Sequence, residues 1–149
     1  MSHQPRVSED PRGLTISGSP DPRTAPLHIT REVFEKLVAE ALDELPAEFA
    51  EKLENVEVLV EDAPSPDELG GRELAPGHVL LGLYHGVPLT HRSVFARSLF
   101  PERITIFQRP VEMISRSPRE VIENVRHTVL HEIAHHFGIS DERLRELGY

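Results

Sequence analysis

The stretch from Ser117 to Asp141, SPREVIENVRHTVLHEIAHHFGISD, decides how this chain is read. Ser117-Pro118-Arg119-Glu120 is a helix start. Serine caps, proline occupies the first helical position, and Glu120 stands where a capping box needs its carboxylate. The helix is expected to run to Phe137 and stop at Gly138, because glycine tolerates the left-handed backbone that ends a helix and reverses the chain. Inside it lies His131-Glu132-Ile133-Ala134-His135. Residues four apart share one helical face, so two imidazoles there can reach a common ion at about 2.0–2.1 Å from each nitrogen. Glu132, about 100° around the helix, is offset from the metal but near a water bound to it. Ile122, Val125, Val129, Ile133 and Phe137 cluster on one side of the wheel, and both histidines fall roughly 160–200° away. His127, one turn back, is in phase with them and is a candidate to support the ligands from behind. His136 is out of phase and is expected to pack, partly buried, near Val125 and Val129.

Two histidines leave zinc short of its usual three protein ligands. Asp141 lies ten residues after His131; in a continuous helix it would be about 15 Å further along the axis. A reversal at Gly138 brings it back toward the ion. Asp141 also suits the first turn of a last helix, capped by Ser140 and ending near Leu147, where a carboxylate complements the helix dipole. Glu142 is the fallback ligand. With no cysteine in the chain, any metal site must be built from His, Asp or Glu.

Working outward, residues 1–26 hold five of the thirteen prolines and show no hydrophobic period. They are expected to form a disordered arm contributing little buried area, ahead of a domain over 27–149. Thr30 reads as an N-cap, and Ile29 with Phe34 as a hydrophobic staple. Val33, Phe34, Leu37, Val38, Ala41 and Leu42 recur at helical spacing, predicting a helix over 31–44. Pro46 opens a second helix to about Leu53. Three strands follow, at Asn55–Asp62, His78–Tyr84 and Arg103–Gln108. Residues 62–77 between the first two read as a loop. Pro110 favours an edge position for the third strand, which is also the candidate to pair with a substrate. The order helix, helix, strand, strand, strand, helix, helix describes an α+β domain with a small sheet packed against helices.

Net charge is −9, and residues 42–73 carry all of that imbalance. Eleven carboxylates there face only Lys52 and Arg72. Such a stretch repels phosphate backbones, so no nucleic-acid partner is expected. No apolar run is long enough to span a bilayer, and no leader segment is visible at the start. The expectation is a cytoplasmic protein with no membrane association.

His131-Glu132-x-x-His135-x-x-Gly138-x-x-Asp141 resembles the extended zinc signature of metzincin-type proteases, with aspartate replacing their third histidine. The chain resembles more closely a family of minimal bacterial zincin-like metallopeptidases, formerly a domain of unknown function and described as matrix-metalloprotease-like. The similarity runs over Leu80-Leu81-Gly82-Leu83-Tyr84-His85-Gly86-Val87-Pro88-Leu89-Thr90, over Arg103-Ile104-Thr105-Ile106-Phe107 and through the signature, covering roughly residues 30–147. The resemblance implies a zincin-like fold, a bound zinc and peptidase activity. Two departures stand out. Metzincins carry a methionine turn downstream of the signature, whereas Met1 and Met113 both lie upstream. The sequence also stops at Tyr149, from which the lower wall of a substrate cleft is expected to be lacking.

The reading that results is one zinc ion per chain, held by His131, His135 and Asp141, with Glu132 activating water for peptide hydrolysis. A donor for the tetrahedral oxyanion is needed; Tyr84, His85, His91 and Tyr149 are the candidates. The partner is a peptide or unfolded protein, with an unidentified protein partner left open. Competing readings are a zinc-binding regulatory or interaction module and a metal-dependent RNA hydrolase, the latter disfavoured by the acidic charge. Deformylases use a paired-histidine helix with a cysteine ligand, which this chain lacks.

Overall fold

The structure, a computed structural model, describes residues 27–69, 78–86 and 102–148, together with the backbone of 7–9 and 15–17. Local chemistry sets most helix ends. Thr30 Oγ1 accepts the Val33 N–H at 3.2 Å and starts α1, Arg31–Asp43. Pro46 precedes α2, Ala47–Leu53, where its missing N–H costs nothing. The long helix α5, Pro118–His136, begins as Ser117 accepts the Glu120 N–H at 3.2 Å. It ends with Gly138 at φ +71°. Ile139 N–H donates to Ala134 O at 2.7 Å and Gly138 N–H to His135 O at 3.4 Å, the paired closure of a Schellman turn. The last helix, α6, is Asp141–Glu146.

Two short helices were not anticipated. One, α3 at Pro66–Leu69, interrupts the stretch read as loop. The other, α4 at Gln108–Ile114, directly follows a strand and takes Pro110 into its first turn. That placement overturns the edge reading of the preceding strand, because the proline sits in a helix start, where no N–H is needed.

The strands are β1 (Val7–Glu9), β2 (Thr15–Ser17), β3 (Val56–Glu61), β4 (Val79–His85) and β5 (Glu102–Phe107). They lie in the order β1-β2-β4-β5-β3, with β3 and β5 parallel and every other pair antiparallel. The domain is α+β, and its sheet is mixed. β5 is therefore central, and Ile104, Thr105, Ile106 and Phe107 are all buried, as a strand covered on both faces should be. It offers no free edge to a substrate, which corrects the expectation placed on it.

β1 and β2 fall inside residues 1–26, where a disordered arm is expected from sequence. Their three-residue length shows no period on its own. The partner strand orders them, which is a tertiary effect that a search for periodicity misses. The rest of that stretch lies outside the described residues.

All the helices except α3 contribute to the core on one face of the sheet. Phe34, Leu37, Phe49, Leu81, Ile104, Ile106, Val125, Val129 and Ile133 form one buried cluster with Leu144 of α6. A smaller cluster on the other face joins Leu80 and Phe107, with Leu69 of α3 and Leu83 packed against it. Polar groups tie α4 to the entrance of α1: Ile29 N–H donates to Glu112 Oε2 at 3.1 Å, and Gln108 Nε2 to Ile29 O at 3.1 Å. Arg31 completes the clamp through Gln108 Oε1 at 2.7 Å and Val60 O at 3.1 Å, so the buried Gln108 and Glu112 are bonded.

Candidate functional site

The site is organised by how closely α5 approaches β4. A Cβ on Gly82 would come within 2.7 Å of Thr128 Cγ2 and 3.1 Å of Thr105 O, so only glycine lets helix and strand meet here. One helical turn after Thr128, Glu132 is carried to the same strand. It is 0% exposed, and its Oε2 accepts the Tyr84 N–H at 3.2 Å. Tyr84 lies two residues along β4 from Gly82, the residue that pairs with Thr15 of β2. Glu132 thus meets β4 just beyond the stretch paired with β2.

Tyr84 is bound at both ends. Its hydroxyl donates to Glu102 Oε2 at 2.7 Å, and its ring stacks on His136 with centroids 3.7 Å apart. His136 is exposed as a residue and lies on Tyr84, not against Val125 and Val129, which corrects the helical-wheel reading. Neither Glu102 nor His136 is marked in the sequence. The stack joins two elements far apart in the chain, and no periodicity within either one encodes it.

His131 is half-buried and His135 exposed, one turn apart on α5. The His127 and His131 rings lie 6.4 Å apart at 22°. Burial holds the His127 imidazole below the ordinary histidine range, and the charges of Arg126 and His131 push it the same way. Phe137 is 42% exposed with Lys52 Nζ 4.8 Å above its ring, so it does not join the buried stripe its phase suggested. Thr128, Leu130, Glu132 and Ala134 are buried instead, making α5 covered on most sides.

Asp141 is exposed in the first turn of α6, beneath the Ser140 cap that accepts Arg143 N–H at 3.1 Å. Among the described residues no three His, Asp or Glu side chains gather into a group able to hold a metal. The structure places the histidine pair on α5 and leaves Asp141 apart from it. The donor chemistry nevertheless fits zinc: two imidazoles one turn apart, both reached by solvent, and a carboxylate just past a left-handed turn.

His85 alternates with Tyr84 and faces the other side of the sheet. Its Nε2 is 3.8 Å from Glu68 Oε2, and burial, followed by the Arg103 charge, lowers its pKa. It faces Glu68, away from the side of the strand that carries Tyr84. His91 and Tyr149 lie outside the described residues.

No helix among the described residues is long and apolar enough to cross a membrane. A family model for zincin-like metallopeptidases matches residues 53–149. Among solved structures, a conserved hypothetical protein from Thermo thermophilus is 28% identical, with a TM-score of 0.49, over 73% of this chain and 94% of that one. No curated protein matches.

Proposed function

Because the chain belongs to the zincin-like metallopeptidase family, we propose that it is a zinc-dependent peptidase in which Glu132 carries the reacting protons. The observation that supports this most is the Glu132 carboxylate on β4 just beyond the stretch paired with β2, on the helix that also bears His131 and His135. A peptide laid along the edge of β4 that β2 takes would bring its backbone to the glutamate.

His131, His135 and Asp141 would hold the zinc. Zinc, when bound, supplies Lewis acidity for the scissile carbonyl and for water. Glu132 then takes a proton from the attacking water and passes it to the leaving amine nitrogen as the C–N bond breaks. Tyr84 positions Glu132 through its backbone N–H. Its own hydroxyl proton is committed to Glu102, which removes it as an oxyanion donor in this arrangement. His136, stacked on Tyr84, holds that strand against the end of α5.

The test separates metal from chemistry. Protein never exposed to a metal-affinity column should contain about one zinc per chain by elemental analysis. Asp141→Ala should weaken zinc retention at least roughly tenfold against a chromogenic chelator, while Glu132→Gln keeps its zinc and loses hydrolysis of a peptide library read by mass spectrometry. Wild type and Glu132→Gln giving identical products, with zinc in both, would reject the peptidase reading and leave a zinc-binding module.

A further inference from the structure

Glu132 is completely buried while the hairpin β1–β2 is in place. β2 pairs antiparallel with β4, matching Thr15 to Gly82, Ile16 to Leu80 and Ser17 to Val79. Both hairpin strands also contact α5. Gly82 is two residues from Tyr84, whose N–H is taken by Glu132. The chain's own strand therefore fills the β4 edge up to the position where the glutamate begins.

A peptide presented to Glu132 along β4 needs the same edge groups, and two strands cannot share them. We infer that the N-terminal hairpin is an intramolecular competitor for the substrate site, a strand that must leave β4 before a peptide can pair there. The inference rests on the peptidase reading for its consequence, but the competition itself concerns binding alone.

The hairpin's own geometry suits a removable strand. Its ladder on β4 covers three residues and is irregular between Thr15 and Ile16, whereas β3 and β5 pair without a break over six. Short, bulged edge pairing lies at the weak end of local stability. An occupied edge also protects β4 from pairing with a second molecule. A competing strand lowers apparent affinity by the fraction of molecules in which the edge is free.

The test uses the full zinc-loaded chain with two changes to β2. Ile16→Pro removes an N–H and restricts the backbone in the middle of the strand. Ser17→Cys with Val79→Cys places thiols on opposed residues, at a spacing that fits a disulfide. The natural chain has no cysteine, so oxidation locks only this pair. Binding of a fluorescein-labelled synthetic peptide with the sequence of residues 12–20 is followed by anisotropy, in a Glu132→Gln background so that it is not consumed. Hydrolysis of an unfolded protein is followed separately with Glu132 present.

Ile16→Pro should bind the peptide at least about fivefold more tightly than the parent. The oxidised cysteine pair should bind it at least about fivefold more weakly, with reduction restoring the parent affinity. Hydrolysis rates should follow the same order. Peptide affinity that is unchanged in both Ile16→Pro and the oxidised pair overturns the inference, whatever the activity. Affinities that shift as expected with no hydrolysis by any form support the competing strand and reject the peptidase reading instead.

Discussion

Single side chains carry the chemistry, and their surroundings decide which state they prefer. His127 is half-buried between Arg126 and His131, and its imidazole is held below the ordinary value. In the unfolded chain it titrates near about 6.5. As pH falls through that value the unfolded state takes up a proton that the folded state resists, so folding loses stability until the lowered folded pKa is passed. Metal-free protein should therefore melt at a lower temperature at pH 5.5 than at pH 7.5. His127→Gln should shrink that difference, by a fraction of the about 1.4 kcal/mol that one full pKa unit represents, since solvent reaches the ring. An acid loss of the same size in both proteins, by thermal denaturation with chelator present, would remove His127 as its source.

At the scale of elements, two glycines set how α5 sits. Gly138 at φ +71° closes the helix and redirects the chain toward Asp141. Gly138→Ala has open space around its Cβ, so its cost is conformational alone, about 1 kcal/mol, or roughly 2–4 °C in melting temperature for a domain of this size. Gly82 is the opposite case. Gly82→Ala meets Thr128 at 2.7 Å and should cost about 1–3 kcal/mol through overpacking. Because it pushes α5 off β4, it should also loosen the Glu132 contact with Tyr84 N–H. Hydrogen exchange at Tyr84 is the discriminating measurement: faster in Gly82→Ala, unchanged in Gly138→Ala. Ser117, Pro118 and Gly138 made the ends of α5 legible beforehand, because capping is encoded within a few neighbouring residues. The helix α4 was not legible, since Gln108 and Glu112 are held by Ile29 and Arg31 from the far side of the domain.

Over the whole molecule, charge and topology act together. Lys52 over Phe137 brings the end of α2 to the end of α5, and α2 with its flanks belongs to the acidic stretch 42–73. A peptide bound beside the histidine pair, as proposed, is expected to meet a negative field from that stretch. Basic peptides should be preferred over acidic ones at low ionic strength. That preference should fade as salt shortens the screening length from about 10 Å at 0.1 M to about 3 Å at 1 M. Paired libraries of basic and acidic peptides at the two salt concentrations provide the measurement, and a ratio indifferent to salt would assign the preference to contacts instead of field. The sequence by itself determined the helix that bears His131, Glu132 and His135, its cap and stop, and the α+β succession of elements. Those depend on residues a few positions apart, where backbone geometry alone fixes who meets whom. Tertiary structure decided that β5 is central, that β2 lies on the β4 edge, and that Tyr84 receives both Glu132 and His136. Each of these joins segments tens of residues apart, and such pairings follow from the packing of the whole domain, which no local period records.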